Sequence, residues 1–146
     1  MSKRRANVLL VEDSQSDQVI VKRVLEDGCI NCNLHIANNG AIALQMLRNE
    51  APYDDKSDYC RPDLVLMDIN MPVLDGKATL QAIRADEELK HIPVIMLTTS
   101  DRDKDVIESY KLGVNAYLTK PVEELAFINV VQQIEQFWFE LVTLPR

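Results

Sequence analysis

The stretch Asp63-Leu-Val-Leu-Met-Asp68-Ile-Asn-Met-Pro72 decides the fold, because an apolar run of strand length is followed directly by an acidic residue and a turn. A continuously apolar run of this length is typical of a strand buried on both faces of a parallel sheet. In open α/β sheets, ligands bind in the crevice outside the carboxyl ends of the strands. The position of Asp68 therefore predicts a functional site at that edge.

Four further strand-like runs occur along the chain, at Asn7–Val11, Asn33–Ala37, Pro93–Leu97 and Ala116–Leu118. A stretch predicted to be helical follows each of the five runs. The first stretch begins at Gln18 and ends before Gly28, and the second begins near Gly40. The third runs from Lys77 to about Ala85, the fourth ends at Leu112, and the fifth runs from Glu123 to Val142. Five β-α repeats with apolar strands predict an α/β protein, with a parallel sheet covered on both faces. The polar segment between Arg48 and Pro62 reads as an extended surface loop.

Composition limits what the chain can do. Its 146 residues, 47% of them hydrophobic, predict one domain over residues 6–146, with residues 1–5 as a flexible tail and no output domain. The formal net charge of −7 argues against binding to nucleic acid or to an anionic membrane. No apolar run reaches the roughly 18 residues of a membrane span, and no signal peptide is visible. A cytoplasmic location is therefore expected.

Three cysteines, Cys29, Cys32 and Cys60, are an odd number and fit reduced thiols better than a disulfide framework. The Cys29–Cys32 spacing would also suit a redox pair or, with His35 and Cys60, a zinc site. However, the pair follows a helix end instead of opening a helix, and no second pair matches it. Structural or incidental thiols are the favoured interpretation.

The predicted strand ends carry a set of residues suited to metal and phosphoryl chemistry. Glu12 and Asp13 follow the first strand, and with Asp68 they would repel one another unless a cation joined them. Hard carboxylate oxygens suit Mg²⁺, or Mn²⁺ in its place. We expect Asp13 and Asp68 to be direct ligands, Glu12 to bind through water, and Asn70 to offer its backbone carbonyl. Magnesium at this edge of the sheet is thus predicted.

Two later strand ends supply groups for the oxygens of a phosphoryl group. Thr98 follows the fourth strand with a hydroxyl, and Lys120 follows the fifth with a compact cation. A carboxylate can attack phosphorus to give an aspartyl phosphate, with a metal and a lysine offsetting the charge. Asp68 is the candidate nucleophile.

These motifs resemble the receiver domain of two-component response regulators over nearly the whole chain. The matching stretches are Val11-Glu-Asp13, Leu66-Met-Asp-Ile-Asn-Met-Pro72 with Asp75-Gly76, Leu97-Thr-Thr99, and Tyr117-Leu-Thr-Lys-Pro121. The resemblance implies a flavodoxin-like, doubly wound (βα)5 fold with strand order 2-1-3-4-5.

For this chain the resemblance also implies site roles and a partner. It implies Asp68 as phosphoacceptor and an acidic pair at Glu12 and Asp13. Thr98 and Lys120 would contact the phosphate, and Thr98 and Tyr117 would act as switch residues. The Lys120–Pro121 bond would be cis. The phosphoryl donor would be a histidine kinase. The chain departs from the usual pattern at Glu12, where Asp is commoner, and at Thr99, where a smaller residue is usual.

The end of the chain is more specifically similar to single-domain regulators that partner bacterial phytochrome kinases. Shared features are an elongated loop before the third strand and an ending like Phe137–Pro145. The apolar stripe of the last predicted helix is longer than one sheet face can cover. Phe137, Trp138, Leu141 and Val142 are therefore predicted to form a homodimer or partner surface, on the face of the fourth and fifth β-α units.

Two other classes of protein compete with a signalling switch. An aspartyl-phosphate hydrolase of small phosphate esters would need a second carboxylate as general acid, and Asn70 cannot donate a proton in that way. A flavin-binding electron carrier would need a glycine-rich or hydroxyl-rich phosphate cradle after the first strand. Glu12 and Asp13 at that place would instead repel the cofactor phosphate.

Overall fold

A computed structural model of the chain describes residues 6–27, 32–49, 62–99, 111 and 113–132. One sheet of five strands forms the centre, with Ala6–Val11 (β1), Cys32–Ala37 (β2), Leu64–Asp68 (β3), Val94–Thr98 (β4) and Ala116–Thr119 (β5). All neighbouring strands are parallel, and their order is β2-β1-β3-β4-β5. The predicted fold and strand order are confirmed.

Four helices are described: Gln15–Asp27 (α1), Gly40–Leu47 (α2), Gly76–Ala85 (α3) and Glu124–Gln132 (α4). None of them is long and apolar enough to cross a membrane. Several predictions lie outside the described residues. These are the tail 1–5, most of the 48–62 loop, Cys29, Cys60, all but Lys111 of the helix expected to end at Leu112, and the surface from Phe137 to Val142.

Alternate residues of each central strand point to opposite faces of the sheet and so build two separate core layers. In β1, Val8 and Leu10 pack with α1 and α4, whereas Leu9 and Val11 pack with α2 and α3. Residues 64 to 69 are all buried, as are residues 92 to 98. Both faces of the central strands are thus covered, so the polar groups of these strands lie at their ends.

The first helix begins at Gln15, three residues before the predicted start at Gln18. Ser14 explains the difference, because its hydroxyl accepts a hydrogen bond from the backbone N–H of Asp17 at 3.3 Å. Its carbonyl also accepts from the N–H of Gln18 at 3.0 Å. Ser14 therefore acts as the N-cap, and α1 starts close to the end of β1.

Helix α3 begins next to the end of β3 because residue 76 is glycine. A Cβ atom there would lie 2.5 Å from the carbonyl oxygen of Asp68 and 2.8 Å from the Cα of Ile69. Asp75 caps the helix, and its Oδ1 accepts from the N–H of Ala78 at 2.8 Å. The loop after Asp68 is consequently held close against the strand that carries the acidic residue.

Candidate functional site

Three carboxylates meet at the carboxyl edge of the sheet. Glu12 and Asp13 follow β1, and Asp68 ends β3, the strand that pairs directly with β1. Oxygen atoms of the three side chains all lie within 4.8 Å of one another. Glu12 is fully buried and Asp68 nearly so, whereas Asp13 is exposed. The structure therefore brings the predicted acidic group together, with one carboxylate facing solvent.

Lys120 enters this group from the end of β5. Its Nζ lies 2.6 Å from Glu12 Oε1, 3.0 Å from Asp17 Oδ2 and 3.1 Å from Asp68 Oδ2. Burial alone would lower the pKa of Lys120, but the hydrogen bonds with Glu12, Asp17 and Asp68 outweigh burial and raise it above its ordinary value. Lys120 is thus a permanent cation at this edge.

The charge of the pocket is still unbalanced, because one lysine faces several carboxylates. Burial raises the pKa of Glu12, the hydrogen bond with Lys120 lowers it, and the charge of Asp68 raises it again, to about 7. Although Glu12 Oε1 is close to Lys120 Nζ, it is buried without a well-directed hydrogen bond. A cluster of hard oxygen donors with excess negative charge fits a divalent cation such as Mg²⁺.

The remaining predicted residues surround this cluster. Asn70 donates its backbone N–H to Asp68 Oδ1 at 3.2 Å, whereas its carbonyl as a metal ligand stays a prediction. Thr98 is fully buried at the end of β4, and its carbonyl oxygen accepts from the N–H of Lys120 at 2.6 Å. Tyr117 is half-buried in β5, against the core layer of α2 and α3. The Lys120–Pro121 peptide bond is cis, the isomer that the resemblance implies.

Asp17 is the member of the site that the sequence interpretation missed. It lies in the first turn of α1, and its carboxylate is 32% exposed. An acidic residue in a first helical turn usually complements the helix dipole, so its type and position were not distinctive. The available signal was its position four residues after Asp13, in the first turn of the helix that follows β1.

Comparison with known proteins identifies the family. Residues 8–132 match the family model described as the response regulator receiver domain. The chain belongs to this receiver family. The response regulator Rcp1 of Synechocystis sp. is 44% identical over 138 residues, which cover 94% of this chain and 92% of that protein. The resemblance inferred from the sequence motifs is therefore confirmed.

Solved structures of phytochrome response regulators share the fold of this receiver. The bacteriophytochrome response regulator AtBRR matches with a TM-score of 0.85 and 34% identity, covering 97% of this chain and 99% of that one. The phosphorylated cyanobacterial phytochrome regulator RcpA gives 0.76 and 35%, and the Mn²⁺-bound form of Rcp1 gives 0.74 and 42%, each with the same coverage. The chain is thus a two-component receiver that is similar to phytochrome response regulators.

Proposed function

We propose that this receiver accepts a phosphoryl group on Asp68 from the phosphohistidine of a histidine kinase. The observation that carries the proposal is the contact between Lys120 Nζ and Asp68 Oδ2 at 3.1 Å, inside a cluster of carboxylates. A cation beside a carboxylate offsets the charge of an incoming phosphoryl group. No other arrangement within the described residues combines a clustered set of carboxylates with a nearly buried lysine.

In the proposed reaction, an oxygen of Asp68 forms a bond to phosphorus as the phosphorus–nitrogen bond of the donor breaks. The electron pair of the broken bond returns to the imidazole ring of the donor. The Asn70 N–H on Oδ1 orients the Asp68 carboxylate, and Lys120 stabilises negative charge on the phosphoryl oxygens. Glu12, Asp13 and Asp68, with the Asn70 carbonyl, would hold Mg²⁺ or Mn²⁺, which supplies further charge neutralisation. The Mn²⁺-bound form of Rcp1 and phosphorylated RcpA support both parts by similarity.

The signal would leave through the fourth and fifth β-α units. The Thr98 hydroxyl would move toward the phosphoryl group, and Tyr117 would occupy the space that it leaves. Such a change is a shift between two populations of one surface. Support comes from the adjacency of β4 and β5, in which Thr98 pairs with Thr119 and Met96 with Tyr117.

The proposed kinase is a phytochrome, because solved structures of phytochrome response regulators resemble this chain. The proposed location is the cytoplasm, where such a kinase domain would meet its regulator.

A homodimer through Phe137, Trp138, Leu141 and Val142 is also proposed from the sequence alone. Light scattering with and without a phosphoryl donor and Mg²⁺ tests the dimer, and a monomer in both conditions would contradict it.

The phosphoacceptor is tested by incubation with acetyl phosphate and Mg²⁺, followed by intact-mass measurement. We expect the wild-type protein to gain one phosphoryl group and the Asp68→Asn variant to gain none. Asp27→Asn, at an exposed carboxylate on the end of α1, is the matched control and should label as the wild type does. Equal labelling of the Asp68→Asn variant would reject Asp68 as the acceptor. Rapid multiple turnover of small phosphate esters would instead favour the hydrolase.

A further inference from the structure

The ammonium group of Lys120 has three carboxylate partners, and the acidic cluster accounts for only two of them. Glu12 and Asp68 belong to the acidic cluster, whereas Asp17 comes from α1. The three oxygens lie 2.6, 3.0 and 3.1 Å from Nζ, and the contact with Asp17 Oδ2 at 3.0 Å is a well-directed hydrogen bond, whereas Glu12 Oε1 accepts none. Since the lysine stem is flexible, these contacts decide where the charge lies.

Two of the three contacts of Lys120 would be weakened in the proposed reaction. Glu12 and Asp68 are members of the group whose oxygens lie within 4.8 Å of one another, the group that suits a cation. A bound cation would compete with Lys120 for those oxygens, and phosphorylation would use one oxygen of Asp68. Asp17 lies outside that group. It is therefore the partner of Lys120 that stays available while the other two carboxylates are engaged.

The backbone around Asp17 is tied to the same loop that carries Glu12. Besides the Ser14 cap, the side-chain amide of Gln18 donates to the carbonyl of Glu12 at 2.6 Å. The same amide also donates to Asn38 Oδ1 at 3.0 Å, in the loop after β2. These bonds hold the first turn of α1 against the carboxyl edge of the sheet. Because the first turn of α1 is held in place, Asp17 can fix the position of the flexible Lys120 side chain.

We propose that Asp17 is a positioning residue that keeps the Lys120 ammonium beside Asp68 during phosphorylation. This inference rests on the proposed function, in which Asp68 is the phosphoacceptor. Asp17 touches no reacting atom and acts through Lys120. A purely electrostatic role would have the opposite effect, because an additional negative charge near the pocket repels an anionic phosphoryl donor.

The test is the initial rate of phosphorylation by acetyl phosphate at saturating Mg²⁺. Asp17→Asn should lower that rate about tenfold, the equivalent of one charge-assisted hydrogen bond weakened at a partly exposed site. Asp27→Asn removes the same charge from the same helix without contacting Lys120, and it should leave the rate unchanged. Thermal melts should show both variants folded. An unchanged or faster rate for Asp17→Asn overturns the inference.

A double-mutant cycle separates positioning from a general structural role. In a Lys120→Met background, which we expect to label slowly and which is therefore followed over a long incubation, Asp17→Asn should cause no further fall in the rate. A second tenfold fall in that background would show that Asp17 does not act through Lys120, and it would overturn the inference. If the wild-type protein itself takes no label, the proposed function fails as well. Label on the wild type with no effect of Asp17→Asn rejects the positioning role alone.

Discussion

Two partly buried cations lie at opposite edges of the same sheet, and their surroundings differ in charge. At the carboxyl edge, Lys120 meets the carboxylates of Glu12, Asp17 and Asp68. At the amino edge, the hydrogen bonds that Arg84 of α3 donates to described residues all end on neutral oxygens. Its acceptors are the carbonyls of Lys90, Ile92 and Gly113 and the side chain of Asn115, at 2.7 to 3.0 Å.

The difference indicates that the amino edge serves the stability of the fold, whereas the carboxyl edge serves the proposed function. Arg84 donates hydrogen bonds to carbonyl groups in the loops that lead into β4 and β5. Asn115 Oδ1, which also accepts from Arg84, accepts a second hydrogen bond from the N–H of Val94. Within the described residues, the Arg84 guanidinium already has four acceptors at that edge, so its hydrogen bonds need no ligand. At the carboxyl edge, negative charge exceeds positive charge and one buried carboxylate has a raised pKa. Excess buried charge of one sign is destabilising without a ligand, and strongly shifted pKa values of this kind cluster at functional sites.

Arg84→Ala tests the amino edge and should have the largest effect on stability. Loss of four hydrogen bonds, two of them to carbonyls in partly buried contacts, should lower the free energy of unfolding by about 3–4 kcal/mol. Arg23→Ala is the matched control, because Arg23 is an exposed arginine on α1 and its removal should cost less than about 1 kcal/mol. Urea denaturation measures both. Similar losses for the two variants would contradict the structural role of Arg84.

The pH dependence of stability tests the carboxyl edge. The pKa of Glu12 is raised from 4.5 to about 7, so between these values the native state binds more protons than the unfolded state. This contribution to the stability of the metal-free protein is complete below pH 4.5 and lost as the pH rises through 7. This contribution amounts to about 3 kcal/mol.

Glu12→Gln should remove that slope, as measured by urea denaturation in EDTA from pH 4.5 to 7.5. Glu26→Gln, at an exposed glutamate of α1, is the control and should keep the wild-type slope. Added Mg²⁺ should stabilise the wild type more at pH 7.5 than at pH 5, because the metal requires the deprotonated carboxylate. An unchanged slope in Glu12→Gln would show that another group controls the pH response.

Backbone strain gives the smallest expected effect and also belongs to the carboxyl edge. Val73 follows Met71-Pro72 with φ of 70° and an 81% exposed side chain. The hydrogen bond from the Leu74 N–H to the Pro72 carbonyl at 2.8 Å makes it the centre of a γ-turn. Val73→Gly should raise the free energy of unfolding by about 1 kcal/mol. Val19→Gly, at an exposed valine inside α1, should instead lower it by about 0.5 kcal/mol.

The sequence was sufficient for the sheet and for most of the site, for a physical reason. Buried parallel strands are continuously apolar, so a polar residue such as Asp68 or Lys120 directly after one marks a strand end. All strand ends of one kind meet at one edge. Asp17 and Arg84 escaped prediction because their roles depend on distant partners. Lys120 lies 103 residues from Asp17 along the chain, and most acceptors of Arg84 are backbone carbonyls, which no residue type reveals.

The most direct test of the central claim is to locate the phosphoryl group itself. After reaction with acetyl phosphate and Mg²⁺, borohydride reduction converts an acyl phosphate to an alcohol, and peptide mass spectrometry then identifies the modified residue. We expect modification of Asp68 and of no other carboxylate at this edge of the sheet. Modification of Glu12, Asp13 or Asp17 with Asp68 unchanged would contradict it.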